Sequence, residues 1–292
     1  MNQLIEINWL KENLNDPKIK IIDGTLHMPA SGLNAFEVFK DKHIPNAIFV
    51  DLEEISDQNS NLPHMMPDND YFSKKISSLG INNNDHIVIY DMYGMFSAAR
   101  IWFMFKAFGR EKVSILNGGF PAWIDSDGEI SDQINKLEPS NYKADLNKSL
   151  IVSYKEVFDN LSNNKYQIID ARSPDRFSGI SEEPRADMKS GHIPNSKNLY
   201  FNDLIDPGTK KFIKKEEIAI FCYLDAEIMF PIIYLFNQNG EIINKIEPFQ
   251  LEDCFPNSSI INYTNCKLVQ EKLYRSREIV NRAIEQSTII LD

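Results

Sequence analysis

The side chains with the widest range of chemistry in this sequence are its three cysteines, Cys222, Cys254 and Cys266. A cysteine is a nucleophile once it is ionised, and it can also hold a metal or form a disulfide. None of the three lies in a CxxC pair or near a histidine at ligand spacing, so a zinc site has no support. The odd number, in a chain whose first residues lack an export signal, predicts a reducing, cytoplasmic setting.

The composition argues against two classes of partner. The chain has 292 residues, a net charge of −11 and a pI near 5.0, so it would be repelled by nucleic acid and by an anionic membrane surface. The nearest approach to a membrane span, residues 218–236, has Asp225 and Glu227 near its middle. Each acidic residue costs a span about 2.5–3.5 kcal/mol. We therefore expect neither a nucleic-acid partner nor a membrane partner.

The sequence repeats itself once. Residues 19–23 (Ile-Lys-Ile-Ile-Asp) are matched by residues 166–170 (Tyr-Gln-Ile-Ile-Asp), and the two aspartates are 147 positions apart. His43-Ile-Pro-Asn-Ala47 is matched by His192-Ile-Pro-Asn-Ser196, with the two histidines 149 positions apart. A period of this length indicates two duplicated domains and not a solenoid of short repeats.

Each copy begins with the pattern of an α/β unit. In the first copy, apolar runs at 19–22, 86–90 and 112–116 have the length of buried strands, and helical patterns alternate with them. Alternating strands and helices predict a mostly parallel sheet with helices on both faces. Residues 126–150 are polar and rich in turn residues, which is typical of a linker. The predicted domains are residues 1–128 and 150–292.

A series of motifs occurs in order along residues 5–212. They include Leu62-Pro-His-Met-Met-Pro67, Ser97-Ala-Ala-Arg-Ile-Trp102, Leu116-Asn-Gly-Gly119, Asp170-Ala-Arg172, Arg176-Phe177, Glu183-Pro-Arg185 and Gly191-His-Ile-Pro194. Together they resemble the tandem-rhodanese sulfurtransferases of the 3-mercaptopyruvate/thiosulfate type. The resemblance implies two tandem rhodanese-like domains, the first non-catalytic because Asp91 stands where a nucleophile is needed. The second domain would be catalytic, although it diverges from the family pattern after about residue 212.

The resemblance also implies a reaction. A sulfane sulfur moves from 3-mercaptopyruvate or thiosulfate, through a cysteine persulfide, to a thiol, cyanide or thioredoxin-like acceptor. Arg176 and Arg185 fall on positions similar to the family's substrate-binding arginines, and a guanidinium binds a carboxylate or sulfonate through two parallel hydrogen bonds. His64 and Asp51 match an acid/base element of mercaptopyruvate-type members, which favours that donor slightly. No dinucleotide or phosphate-loop motif occurs, so no cofactor is expected.

The family's glycine-rich catalytic loop has no counterpart here, and two alignments stay open. In the first, Cys222 ends a strand as the nucleophile, followed by a loop to residue 227 and a helix at 228–238. That loop has no glycine and two acids, which would repel a thiolate. In the second, residues 231–235 are the strand and Phe236 takes the catalytic position. The protein would then be an inactive module that binds an anionic metabolite or a protein partner.

Spacing and residue chemistry favour different alignments. Phe236 lies 44 residues after His192 and Cys222 only 30, whereas the first copy has 48 residues between His43 and Asp91. A sulfurtransferase nevertheless needs a thiolate, and Cys254 and Cys266 come too late in the chain. We therefore take Cys222 as the predicted nucleophile.

Other motif residues are predicted to serve the fold. His43 in the first copy and His192 in the second are equivalent residues. Only one copy would be catalytic, so we expect both histidines to hydrogen-bond a turn. Asp170 and Arg172 are expected to tie a strand end to neighbouring turns. Trp102 and Trp123 lie at positions typical of core packing.

Overall fold

The computed structural model describes residues 3–184 and 188–213, together with the backbone of three later strands. The chain divides into two compact units. The first contains the residues up to 151 and also the segment 206–212, while the second begins at residue 152 and resumes at residue 213. The predicted linker therefore packs with the first unit, where Tyr142 is only 2% exposed and meets the rings of Phe72 and Phe105 edge-on.

The first unit contains a five-stranded sheet in which every pairing is parallel. The strands lie in the order β1 (Leu4–Ile5), β5 (Val113–Leu116), β4 (His86–Tyr90), β2 (Ile19–Asp23) and β3 (Ile48–Phe49), and the three inner strands carry the longest apolar runs. This architecture confirms the predicted parallel sheet.

Helices cover both faces of this sheet. They are α1 (Ile7–Asn13), α2 (Ala35–Asp41), α3 (Leu52–Ile55), α4 (Asn69–Ser78), α5 (Ala98–Ala107) and α6 (Gly119–Asp125), with a 3-10 turn at Pro29–Ser31. Because strand side chains alternate between faces, Ile21 and Val88 share one core with α1, α2 and α6. On the other face, Ile89 and Ile101 of α5 both lie against Gly24.

Two sequence signals in this unit correspond directly to structure. Asp68 caps α4, because its carboxylate accepts a hydrogen bond from the backbone N–H of Tyr71 at 2.7 Å. Trp102 and Trp123 are 1% and 0% exposed, which confirms their predicted role in packing. None of the helices in the described residues is both long enough and apolar enough to cross a bilayer.

The second unit repeats the beginning of the first. Its strands β6 (Ile169–Asp170) and β7 (Lys197–Asn198) are parallel, with Asp170 opposite Asn198, as Asp23 lies opposite Phe49 in the β2–β3 pair. The repeat seen in the sequence is therefore also a repeat in structure. The described elements are a 3-10 turn at Lys148–Leu150, which belongs to the first unit, and then α7 (Tyr154–Asn163), β6 (Ile169–Asp170), α8 (Pro174–Ser178), β7 (Lys197–Asn198) and a 3-10 turn at Phe201–Leu204.

The remaining strands are β8 (Ala219–Asp225), β9 (Phe230–Phe236) and β10 (Ile242–Ile243), and they form an antiparallel sheet with β9 in the centre. The predicted helix at 228–238 is therefore wrong, and the strand predicted at 231–235 is confirmed. The physical reason lies in the residues of β9, Phe-Pro-Ile-Ile-Tyr-Leu-Phe. Aromatic and β-branched side chains favour a strand, and proline disrupts the interior of a helix.

Candidate active site

The two repeated histidines lie in equivalent turns. His43 stacks on Phe39 with ring centroids 4.1 Å apart and donates from Nδ1 to the Phe39 carbonyl at 2.6 Å. His192 stacks on Phe177 at 3.8 Å and donates from Nδ1 to the Phe177 carbonyl at 2.7 Å. Each histidine thus joins the turn that it begins to the preceding helix. The structure confirms the predicted fold role of both.

The carboxyl end of β6 is held by a buried ion network around Arg172. Asp170 accepts hydrogen bonds from the backbone N–H and the Nε of Arg172, each at 2.9 Å. Arg172 also donates from Nη1 to Glu183 Oε1 at 2.7 Å and from Nη2 to the Gly191 carbonyl at 2.6 Å. The side chains of Asp170, Arg172 and Glu183 are at most 3% exposed. Asp170 and Arg172 therefore tie the strand end to neighbouring turns, as predicted.

Arg176 joins this network from α8. It donates from Nε to Glu183 Oε1 at 3.2 Å and from Nη2 to Glu183 Oε2 at 2.5 Å. Its side chain is 26% exposed, while that of Glu183 is fully buried. Burial alone would raise the pKa of Glu183, but the hydrogen bonds and charges of Arg176 and Arg172 outweigh it and hold the pKa below its ordinary value. Arg185, the second predicted arginine, lies outside the described residues.

The lowered pKa of Glu183 predicts how acid affects the second unit. A carboxylate of this kind stabilises the folded state above the ordinary glutamate pKa of about 4.3, and that stability is lost as the pH falls through the lower folded pKa. We expect Glu183→Gln to lower the free energy of unfolding by about 3 kcal/mol near neutral pH, since it leaves the buried guanidinium of Arg172 and the partly exposed one of Arg176 undercompensated. The difference from the wild type should shrink below about pH 4.

Urea unfolding across this pH range measures the effect. Glu182→Gln is the matched control, because Glu182 is the exposed neighbour of Glu183 and its loss should change the free energy of unfolding little at any pH. A difference for Glu183→Gln that grows on acidification would contradict the assignment.

In the first unit, the loop after β4 closes around the side chain of Asp91. This carboxylate accepts hydrogen bonds from the backbone N–H groups of Tyr93 at 2.8 Å, Phe96 at 2.7 Å and Ala98 at 2.8 Å. Asp91 is fully buried, and burial raises its pKa although the backbone bonds oppose the shift. Converging backbone amides of this kind form an anion site. Here the chain's own carboxylate occupies it, and no nucleophile stands at that position.

His64 and Asp51 both contact Glu53. Asp51 caps α3 by accepting from the Glu53 backbone N–H at 2.8 Å, and His64 donates from Nε2 to Glu53 Oε1 at 2.6 Å. His64 has a left-handed backbone (φ 58°), and its carbonyl accepts a hydrogen bond from Arg100. Glu53 was not singled out from the sequence. The sequence feature that could have indicated Glu53 is its position two residues after Asp51, in the first turn of α3.

The structure describes Cys222 by its backbone. It is the fourth of seven residues in β8, opposite Ile233 of β9, and not at the end of a strand as the first alignment expected. Phe236 is the last residue of β9. Cys254 and Cys266 lie outside the described residues. Within the ranges that the structure describes, no three His, Cys, Asp or Glu side chains gather as a metal site.

A parallel α/β unit with a loop of converging backbone amides after its central strand, followed by a unit that repeats its beginning, is the arrangement expected of tandem rhodanese-like domains. A comparison with protein-family models agrees, because the rhodanese-like domain matches residues 6–126 and 153–229. The chain belongs to the rhodanese family.

Named relatives and solved structures support this placement. The chain is 38% identical over 224 residues to thiosulfate/3-mercaptopyruvate sulfurtransferase 1, mitochondrial, of Arabidopsis thaliana, covering 70% of this chain and 59% of that protein. It is 37% identical to the 3-mercaptopyruvate sulfurtransferase of Escherichia coli strain K12, covering 73% and 76%. The crystal structure of SseA from Escherichia coli matches with a TM-score of 0.65 and 34% identity, over 70% of this chain and 77% of that one. The relatives are thus sulfurtransferases, and this chain spans 59% of the length of the Arabidopsis protein.

Proposed function

We propose that this protein is a sulfurtransferase. It takes a sulfane sulfur from 3-mercaptopyruvate or thiosulfate and passes it, through a persulfide on Cys222, to a thiol or cyanide. The observation that carries this proposal is Arg176, a partly exposed guanidinium held on a buried carboxylate in the second unit of a rhodanese-family chain. A guanidinium in a fixed orientation suits a small donor with a carboxylate or sulfonate group. We assign the same role to Arg185.

The proposed reaction has two steps. The Cys222 thiolate attacks the sulfur of the donor. With mercaptopyruvate the carbon–sulfur bond breaks and the enolate of pyruvate takes up a proton, and with thiosulfate the sulfur–sulfur bond breaks and sulfite leaves. In the second step the acceptor attacks the outer sulfur of the persulfide, which restores the thiolate. No cofactor is needed, since the persulfide carries the sulfur.

We assign the proton transfer of the mercaptopyruvate reaction to His64. Asp51 supports His64 indirectly, because it caps the helix turn that carries Glu53, the hydrogen-bond partner of His64. The carboxylate of Glu53 can only accept a hydrogen bond, so the neutral imidazole carries its proton on Nε2. A histidine beside a carboxylate is suited to exchanging protons near neutral pH. This favours mercaptopyruvate over thiosulfate, because only the mercaptopyruvate reaction leaves an enolate.

Turnover of the full-length protein tests the proposal. We expect pyruvate release from mercaptopyruvate and thiocyanate release from thiosulfate with cyanide, with mercaptopyruvate the better donor. After incubation with donor alone, mass spectrometry should find one added sulfur atom on the peptide that contains Cys222. Folded protein that releases neither product and gains no sulfur would refute the proposal.

A second candidate function is the binding of an anionic metabolite or a protein partner without turnover. The backbone of Cys222 favours it, because the residue lies inside β8 in an antiparallel ladder with β9. Backbone amides engaged in a ladder do not converge on the sulfur, as the stabilisation of a thiolate requires. Binding of pyruvate or thiosulfate by a folded protein that transfers no sulfur would identify this function.

We further propose a thioredoxin-like protein as the natural acceptor and the cytoplasm as the site of action. The location rests on the odd number of cysteines, while one relative has "mitochondrial" in its name. Fractionation of cells with an antibody against the protein distinguishes the two compartments.

A further inference from the structure

The carboxylate of Glu183 is shared by two guanidinia. Oε1 accepts from Arg172 at 2.7 Å and from Arg176 at 3.2 Å, and Oε2 accepts from Arg176 at 2.5 Å. The Glu183 side chain has no exposed surface, so it does not itself meet a ligand from solvent. Its ionic contacts therefore act on the two arginines.

The two arginines have different freedom. Arg172 is 3% exposed and is fixed by Asp170, Glu183 and the carbonyl of Gly191. Arg176 is 26% exposed, and the only carboxylate bonded to it in the described part of the chain is that of Glu183. Of the pair, Arg176 is the one that can meet a ligand. Arg172 in turn fixes the carboxylate on which Arg176 rests.

The bonds between Glu183 and Arg176 use one particular edge of the guanidinium. Nε and Nη2 face the two oxygens of Glu183. A guanidinium has five N–H donors in a rigid plane, so this pairing leaves the edge formed by Nη1 and the second hydrogen of Nη2. Among the described residues, none accepts a hydrogen bond from Nη1 of Arg176. That edge presents two parallel N–H groups, the arrangement that binds a carboxylate or sulfonate.

We propose that Glu183 is a positioning residue for Arg176. It locks the guanidinium plane so that the Nη1–Nη2 edge receives the anionic group of the sulfur donor in one orientation. The inference rests on the proposed function and extends it to a residue whose side chain does not meet the donor. Binding of the anion then costs little side-chain entropy at Arg176, because the buried carboxylate has already ordered this side chain.

The opposite role for Glu183 predicts an effect of the opposite sign. If its carboxylate merely neutralised Arg176, removal of the negative charge would strengthen the attraction for an anionic donor and lower the KM. If it positions Arg176, removal frees the side chain and raises the KM. Glu183→Gln and Glu183→Asp distinguish these roles, since the aspartate keeps the charge but cannot span the same distance.

The experiment compares the full-length wild type with Glu183→Gln, Glu183→Asp, Arg176→Gln and the double variant Glu183→Gln/Arg176→Gln. We expect each Glu183 variant to raise the KM for mercaptopyruvate about tenfold, with a smaller change in kcat. The double variant should show no further rise beyond Arg176→Gln, because Glu183 acts through Arg176. Glu182→Gln is the matched control. It removes an exposed carboxylate beside Glu183 that is outside the ion network, and it should leave the KM within about twofold.

A KM that falls or does not change in the Glu183 variants would overturn the proposal, and so would an equal rise in Glu182→Gln. A parallel measurement separates this inference from the proposed function. Calorimetric binding of pyruvate, which resembles the donor but carries no sulfur, is independent of turnover. If the wild type transfers no sulfur but Glu183→Gln still weakens pyruvate binding about tenfold, the positioning role holds and the sulfurtransferase proposal fails. If pyruvate binding is the same in both proteins, the positioning role fails.

Discussion

Replacement of Cys222 by serine is expected to abolish sulfur transfer, with a loss of about a thousandfold or more in kcat/KM for both donors. A serine hydroxyl is not appreciably ionised at neutral pH, and it cannot store a sulfane sulfur as a persulfide. The added sulfur atom should also disappear from the peptide that contains residue 222. Product release from each donor and mass spectrometry of the donor-treated protein provide the two measurements.

The chain supplies its own controls, because Cys254 and Cys266 are its other cysteines. Cys254→Ser and Cys266→Ser should retain activity within about twofold. If one of these variants loses activity while Cys222→Ser stays active, the nucleophile is Cys254 or Cys266, in the part of the chain that does not follow the family pattern. If the wild type and all three variants bind pyruvate but transfer no sulfur, the protein has the non-catalytic binding function.

The fold of the first unit could be predicted where its strands are long enough to show a pattern. β2 and β4 each have five residues and a run of apolar side chains, and both were expected. β1 and β3 have two residues each, which is too short for any periodicity, and they were found only in the structure. The order of the strands also came from the structure, since a single sequence does not state which strands pair.

The candidate site could be predicted one residue at a time but not as a network. The motif Glu183-Pro-Arg185 pointed to Arg185, while Glu183 received no role of its own. Its contacts with Arg172 and Arg176 depend on an irregular turn, and turns lack the helical or strand period that makes a contact predictable. The same applies to His64 and Glu53, which are joined by a loop that positions a left-handed residue.

The later strands show why a short apolar run misleads. Residues 228–236 are nine apolar residues in succession, counting Pro231, and such a run fits a buried helix as well as a buried strand. The family resemblance implied a helix after the nucleophile, whereas Pro231 within those residues disfavours one. Pairing with β8 and β10 decided for a strand.

Gly119 is a position in the first unit where a small change should strongly lower the stability. It has a left-handed backbone (φ 54°) at the first residue of α6. A Cβ added there would lie 2.5 Å from the carbonyl oxygen of Gly94 and 2.6 Å from that of Asp91. Both are backbone atoms of the loop that encloses the Asp91 carboxylate, and the Asp91 carbonyl already accepts from the Phe120 N–H at 3.0 Å. Neither oxygen can move away without breaking this loop.

Gly119→Ala should therefore lower the stability of the first unit by about 4 kcal/mol, combining the left-handed conformation with overpacking against backbone. For a unit of this size that corresponds to a fall of roughly 10 °C in Tm.

Gly32→Ala separates the two causes, because Gly32 is also left-handed (φ 65°) but has no atom within 4 Å of an added Cβ. It should cost only about 1 kcal/mol and roughly 2–4 °C. Calorimetry of both variants measures the difference. Equal falls would show that the conformation alone matters, whereas a much larger fall for Gly119→Ala would show that the close approach of α6 to the Asp91 loop requires glycine.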